Sequence, residues 1–250
     1  MRNNCGLSRF STAKHPRGLG NANGLVGKYL LSHPSVSIFG MFDEDMQNYL
    51  GATGGQLFNQ DRFAKTANSN AFGSWQWEIA LALKPNDLLG IAMSRPDLFG
   101  SKLDKFMHEG SRGLASMVGV CEEQPQLENR VELAAEKDKF GIPLAKVVHS
   151  VGQDGRQLWQ LSAQEGIDIF KAAGAKSVWH SPAGGQHIMG GAIMGNDPAT
   201  SVTNGYAQMH QISNLVIGGP SVFPTSSCVN STFTAHALAL KSAEYLIANG

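Results

Sequence analysis

Two residues near the C-terminal end of this 250-residue chain have types suited to handling a hydroxyl group. His187 stands in the glycine-rich run His187-Ile188-Met189-Gly190-Gly191-Ala192-Ile193-Met194-Gly195-Asn196-Asp197-Pro198, and Asn230 begins Asn230-Ser231-Thr232. An unperturbed imidazole titrates near 6.5, so a histidine is a base matched to neutral pH. An asparagine amide offers a donor and an acceptor and does not titrate, so it can hold an oxygen without competing for its proton. Taken singly, neither residue is informative. A histidine in a glycine-rich loop is usually solvated or satisfied, and an asparagine before a helix usually caps it. Around them stand Ser201-Val202-Thr203-Asn204, His210, Asn214-Leu215, Gly218-Gly219 and Ser221-Val222-Phe223-Pro224-Thr225, a set whose order is more specific than any member.

The elements that must position these residues can be read from periodicity. Residues 214–217 are a short, continuously apolar run ended by Gly218-Gly219, the pattern of a central parallel strand. Residues 223–230 read as a loop. Residues 232–247 predict a helix, apolar nearly all round until Lys241 and Glu244, and so expected to be largely buried. Upstream, residues 36–42 predict a strand. Residues 72–83 alternate through Trp75, Trp77, Ile79, Leu81 and Leu83, as a strand with one buried face does. Lys84-Pro85-Asn86-Asp87 reads as a turn, and residues 98–120 as partly helical. Residues 130–133 and 144–148 predict a hairpin. Residues 156–173 predict a helix with the stripe Leu158, Leu161, Gly166, Ile169, Phe170 and Ala173, stopped by Gly174.

Composition narrows the class. Twenty basic and twenty acidic residues give a formal net charge of zero, without the basic runs of a nucleic-acid footprint. No apolar stretch is long enough to span a membrane, and the N-terminus lacks the apolar region of a signal peptide. Charged residues make up 16% against an average of about 25%, and there are 29 glycines. Few charges and many glycines suit buried segments and close backbone approaches. Cys5, Cys121 and Cys228 are odd in number and far apart, which argues against disulfides and zinc and for small buried hydrophobes. Gly18-Leu19-Gly20 has neither the third glycine nor the preceding strand of a dinucleotide fingerprint. Gly27-Lys28 is followed by Tyr29, not the Ser or Thr of a P-loop.

Over residues 185–249 the ordered set resembles the GMC (glucose–methanol–choline) oxidoreductase family. That family carries His-x-x-Gly-x-x-x-Met-Gly, a nearby Asp-Pro, a strand ending in a small residue, a Ser-x-x-Pro-Thr-like loop and Asn-Pro-x-x-Thr opening a helix. The interval from His187 to Asn230 suits the family's pair of active-site residues. Ser231 stands where the family has Pro, and Gln211 where relatives usually have Asp. The likeness extends back through Gly24-Leu25-Val26-Gly27-Lys28-Tyr29-Leu30 and His33-Pro34. Glu128-Asn129-Arg130-Val131 and Asp138-x-Phe140-Gly141-x-Pro143 resemble the gluconate- and sugar-dehydrogenase branch.

The resemblance implies FAD as cofactor and a sugar or polyol as substrate. His187 would take the hydroxyl proton and Asn230 would hold the same oxygen. Gly218, Gly219, Ser221, Ser231 and Thr232 would lie against the flavin, with the helix start at its electron-rich edge. The implied fold class is α+β to α/β. Residues 36–175 would be a substrate-binding sheet with helices, 1–35 a segment returning from the FAD domain, and 176–250 a flavin-proximal catalytic segment. The strand and helix of that last segment would belong to a doubly wound FAD domain. Its N-terminal core, with the Gly-x-Gly-x-x-Gly turn, is not in this sequence. The chain is thus expected to be the C-terminal part of such an enzyme. The alternatives are an inactive fragment or an interaction subunit that needs a separate FAD-binding chain. Relatives in this branch are often periplasmic and pass electrons to a partner such as a cytochrome.

Overall fold

The computed structural model describes residues 12–51, 57–64, 71–79 and 82–249; Cys5 and Leu81 lie outside them. The organising element is β1 (Leu31–Met41), an eleven-residue strand whose side chains alternate between two faces. It lies in a six-stranded sheet of order β2 (Leu57–Asn59), β3 (Trp75–Ile79), β4 (Leu114–Cys121), β1, β7 (Ser177–His180). A further strand, β8 (Gly184–Met189), pairs with the first half of β1, while β7 pairs with its second half. Every ladder in this sheet is antiparallel.

One face of the sheet carries Val36, Ile38, Trp75, Trp77, Met117 and Cys121. It packs beneath α3 (Gln153–Ala172) through Leu158, Ala163 and Phe170. The helix lies close because of Gly166. A methyl group there would come within 2.5 Å of Ile38 Cγ1 and 2.7 Å of Trp77 Cη2. On the opposite face, α1 (Pro85–Ala92) and α2 (Ser101–Gly113) cover one end with Leu88, Ile91 and Phe106 against Phe39 and Leu114. Strands β5 (Arg130–Lys137) and β6 (Pro143–Val148) form the expected hairpin. A separate core of Val26, Leu31, Met189, Val202, Met209, Ile217, Val222 and Phe223 holds the C-terminal region. That region comprises β9 (Gln208–Met209), β10 (Ile212–Val216), a 3₁₀ turn at Pro220–Val222 and α4 (Thr232–Asn249). No helix among the described residues is long and apolar enough to cross a membrane.

Several expectations are corrected. The strand expected at 36–42 begins at Leu31, because Pro34 lies one residue outside the β4 ladder and its missing N–H breaks no bond there. Lys84-Pro85-Asn86-Asp87 opens α1, with proline in the first turn where an N–H is unneeded. Residues 98–120 divide into α2 and β4 at Gly113-Leu114 without a turn between them. The apolar run at 214–217 falls in β10 and the residue after it. Among the described strands β10 pairs only with β9, antiparallel, instead of sitting in a parallel sheet. The largest correction concerns α4. Ser242 is its one buried residue, while Phe233 is 88% and Ile247 85% exposed. Only part of one face, through Ala235 and Leu238, meets the C-terminal core.

Candidate active site

His187 lies at a β-bulge. The β1–β8 register pairs Leu31 with Met189 and His33 with Gln186, so β8 carries one extra residue over this stretch. His187 takes the strain with φ +53°, a left-handed conformation uncommon outside glycine. Gly190 then turns the chain at φ +78°, where a side chain would strike the Tyr29 carbonyl. The bulge brings His187 Nδ1 to 2.9 Å from Nδ1 of His33, with the two rings nearly perpendicular. His33 is fully buried on β1, and its Nε2 lies 3.0 Å from the Ser226 carbonyl. Burial, which disfavours a charged ring, pushes the His33 pKa below its ordinary value and outweighs the opposing pull of the Ser226 carbonyl.

Asn230 is placed by β3, two strands across the same sheet from β1. Its Oδ1 accepts a 2.8 Å hydrogen bond from Gln76 Nε2 on β3, and Gln76 Oε1 accepts one from Gln60 Nε2 at 3.1 Å. This amide relay occupies the Asn230 carbonyl oxygen and leaves its NH₂ to donate outward. Between the two arms, the segment 226–230 is fastened across the strand ends. The Glu123 N–H donates to Ser226 Oγ, which in turn donates to the Glu123 carbonyl, and Ser74 Oγ donates to Cys228 Sγ. Cys228 and Cys121 are buried, and burial pushes the Cys121 thiol up to about 12. His210 spends Nε2 on Ser201 Oγ and the Gly195 carbonyl, a local structural tie.

The remaining expected residues divide. Gly218 and Gly219 form an open ledge, with nothing within 4 Å of the place a Cβ would occupy. The Ser231 carbonyl accepts from Ala235 N–H at 2.9 Å, so Ser231 is the last residue before α4. Thr232 and the next two residues are exposed at the helix start. Ser221 is turned inward: its Oγ is buried and has no hydrogen-bond partner, while its carbonyl accepts from Ala192 N–H. Sequence reasoning assigned no role to His33, Gln76 or Ser226. They lie 154 residues from His187, 154 from Asn230 and 193 from His33 respectively, and no local pattern reports such pairings.

Farther along the strands the sheet is recessed. Cross-strand rows run Ser35–Val120–Gln76 and, one row further, Ser37–Val118–Glu78. A cavity of about 620 Å³ is lined by Ser37, Phe39, Ser116, Val118 and Ser181. Glu78 Oε1 is buried without a hydrogen-bond partner. A second cavity, about 650 Å³, lies near Ile79, Leu114 and Phe170, away from His187.

Residues 125–239 match the family described as GMC oxidoreductase, and the chain belongs to the GMC oxidoreductase family. It is 28% identical over 237 residues to the fructose dehydrogenase large subunit of Gluconobacter japonicus, covering 94% of this chain and 43% of that one. It is 31% identical over 245 residues to 2-methyl-1,2-propanediol dehydrogenase of Mycolicibacterium austroafricanum, covering 93% and 43%. The chain therefore spans less than half the length of these relatives. Its fold is similar to that of a formate oxidase variant from Aspergillus oryzae RIB40 whose FAD modification was studied. That likeness has a TM-score of 0.59 at 15% identity and covers 88% of this chain and 47% of the other.

Proposed function

We propose that this chain is the substrate-handling and catalytic part of an FAD-dependent dehydrogenase that oxidises a hydroxyl of a sugar or polyol. The observation that carries the reading is an imidazole and an amide fastened to one sheet, each held by its own buried partner. His187 takes the hydroxyl proton. Asn230 donates from its NH₂ to the same oxygen and holds it as negative charge develops. Two fixed contacts on one oxygen lower the barrier by holding the substrate in its reacting geometry. When bound, FAD supplies the acceptor for the hydride. The residues present fit a flavin ring. Gly218 and Gly219 offer backbone without side chains, and the exposed start of α4 after Ser231 presents N–H donors and a partial positive charge.

The serines lining the cavity, Ser37, Ser116 and Ser181, favour a ligand with several hydroxyls. A non-oxygen electron acceptor, such as a cytochrome, goes with the sugar-dehydrogenase branch. We further propose the division into 1–35 and 176–250, which border the FAD domain, and 36–175, which bears substrate. A second reading, an interaction subunit that completes an FAD-binding chain, is favoured by the uncovered apolar side chains of α4, Phe233, Leu240 and Ile247. Both readings are tested by supplying FAD with and without a separately expressed FAD-binding half of the family. Flavin absorbance is then followed as sugars and polyols are added. Flavin that binds and is bleached by a polyol is the expected result. Flavin that binds but resists every such substrate overturns the substrate assignment.

A further inference from the structure

The contacts of His33 decide which nitrogen of His187 can act, an inference that rests on the reading of His187 as the base. The Ser226 carbonyl 3.0 Å from His33 Nε2 has no proton to give, so Nε2 must carry the hydrogen. A neutral imidazole has one donor and one acceptor, so His33 Nδ1 presents its lone pair. The atom facing that lone pair at 2.9 Å is His187 Nδ1, which must therefore be the donor. Neutral His187 is then left with its own lone pair on Nε2, a nitrogen with no hydrogen-bond partner among the described residues. We propose that His33 is a positioning residue that fixes His187 as the Nδ1–H tautomer, so that Nε2 receives the substrate's hydroxyl proton.

The surroundings make the arrangement one-directional. His33 is fully buried, and its acceptor Ser226 is clamped by a reciprocal pair of bonds to the Glu123 backbone. The titratable groups facing it are His187 from β8 and Glu123 at the end of β4, the latter paired with His149. Burial, followed by the positive field of a charged His187, keeps His33 neutral, which preserves the lone pair. When Nε2 of His187 takes a proton, its Nδ1–H still points at His33 Nδ1, and the bond becomes charge-assisted and stronger. The dyad thus keeps the same donor and acceptor order when the base is protonated. Were both rings charged, two N–H groups would meet at 2.9 Å, so the pair holds one added proton.

The test is nitrogen-15 NMR of the histidine-labelled full chain, with His187→Gln identifying the His187 signals. Wild type should show His187 with a protonated Nδ1 and a bare, pyridine-type Nε2 at neutral pH. His33→Phe, which removes the acceptor, should shift His187 toward the Nε2–H form. His33→Asn, whose amide oxygen can accept from Nδ1–H, should restore the wild-type pattern in part. In flavin-loaded protein, His33→Phe should lower kcat by about 100-fold with KM little changed, and His33→Asn by less. An Nε2–H tautomer in the wild type overturns the proposal, as does a tautomer unmoved in folded His33→Phe. If His33→Phe does not fold, the wild-type and His33→Asn spectra still decide. The tautomer is read without turnover, so its failure is distinct from a failure of the dehydrogenase reading.

Discussion

The helices α3 and α4 make an instructive pair. Both are long and carry many apolar residues, yet α3 buries Leu158, Ala163, Gly166 and Phe170, whereas α4 buries Ser242 alone. The difference lies in what each meets. The sheet face under α3 offers Trp77, Ile38 and Met117, and Gly166 lets helix and sheet close to contact. The C-terminal core meets α4 only through Ala235 and Leu238, and Phe233, Leu240 and Ile247 face outward. An apolar sequence specifies that a helix wants covering. It does not say whether the cover lies within the described residues. The two active-site arms follow the same division. His187 is anchored by β1 in the well-packed body, while Asn230 stands one residue before the helix-capping Ser231, at the root of the uncovered helix.

The comparison can be broken by truncation. Leu158→Ala, at a site with no exposure, should cost about 2–5 kcal/mol in urea or guanidinium unfolding. Leu240→Ala, 61% exposed, should stay within about 0.5 kcal/mol for the chain by itself. Equal costs would mean that α4 is packed in solution. An effect smaller than that of Leu158→Ala and larger than that of Leu240→Ala is expected from Gly166→Ala. The added methyl cannot clear Ile38 and Trp77 without backbone movement, so about 1–3 kcal/mol should be lost, seen as a lower Tm with an unchanged fold. An unchanged Tm would place α3 farther from the sheet.

The smallest effect is a pH dependence. His33 titrates below its ordinary 6.5 when folded, so between that folded value and 6.5 the unfolded chain binds more protons. Stability should therefore fall as pH drops through this window and be insensitive to His33 above it. His33→Asn should flatten this part of a stability–pH curve. A curve unchanged by the substitution would contradict the buried neutral state.

Much of the candidate site was legible in the sequence because the proposed chemistry depends on residue type and order. His187, Asn230 and the helix start at Thr232 stand in a recognisable succession, and α4 begins where it was expected. The helix stripe through Leu158 and Phe170 and the hairpin of β5 and β6 were legible for the same reason, since period and turn chemistry are local. What was not legible is non-local or masked by a stronger signal. The glycines of 184–195 hid β8, Pro34 hid the first half of β1, and the direct passage from α2 into β4 left no turn to mark it. His33 and Gln76 reach their partners only through strand pairing, so their roles emerge once β1, β3 and β8 are in register.

The central claim is that His187 is the base for hydroxyl oxidation. It is tested most directly by the single-turnover rate of flavin reduction in the loaded protein, wild type against His187→Ala, at saturating polyol. The rate should fall by about 10²- to 10⁴-fold with flavin still bound; an undiminished rate would rule His187 out as the base.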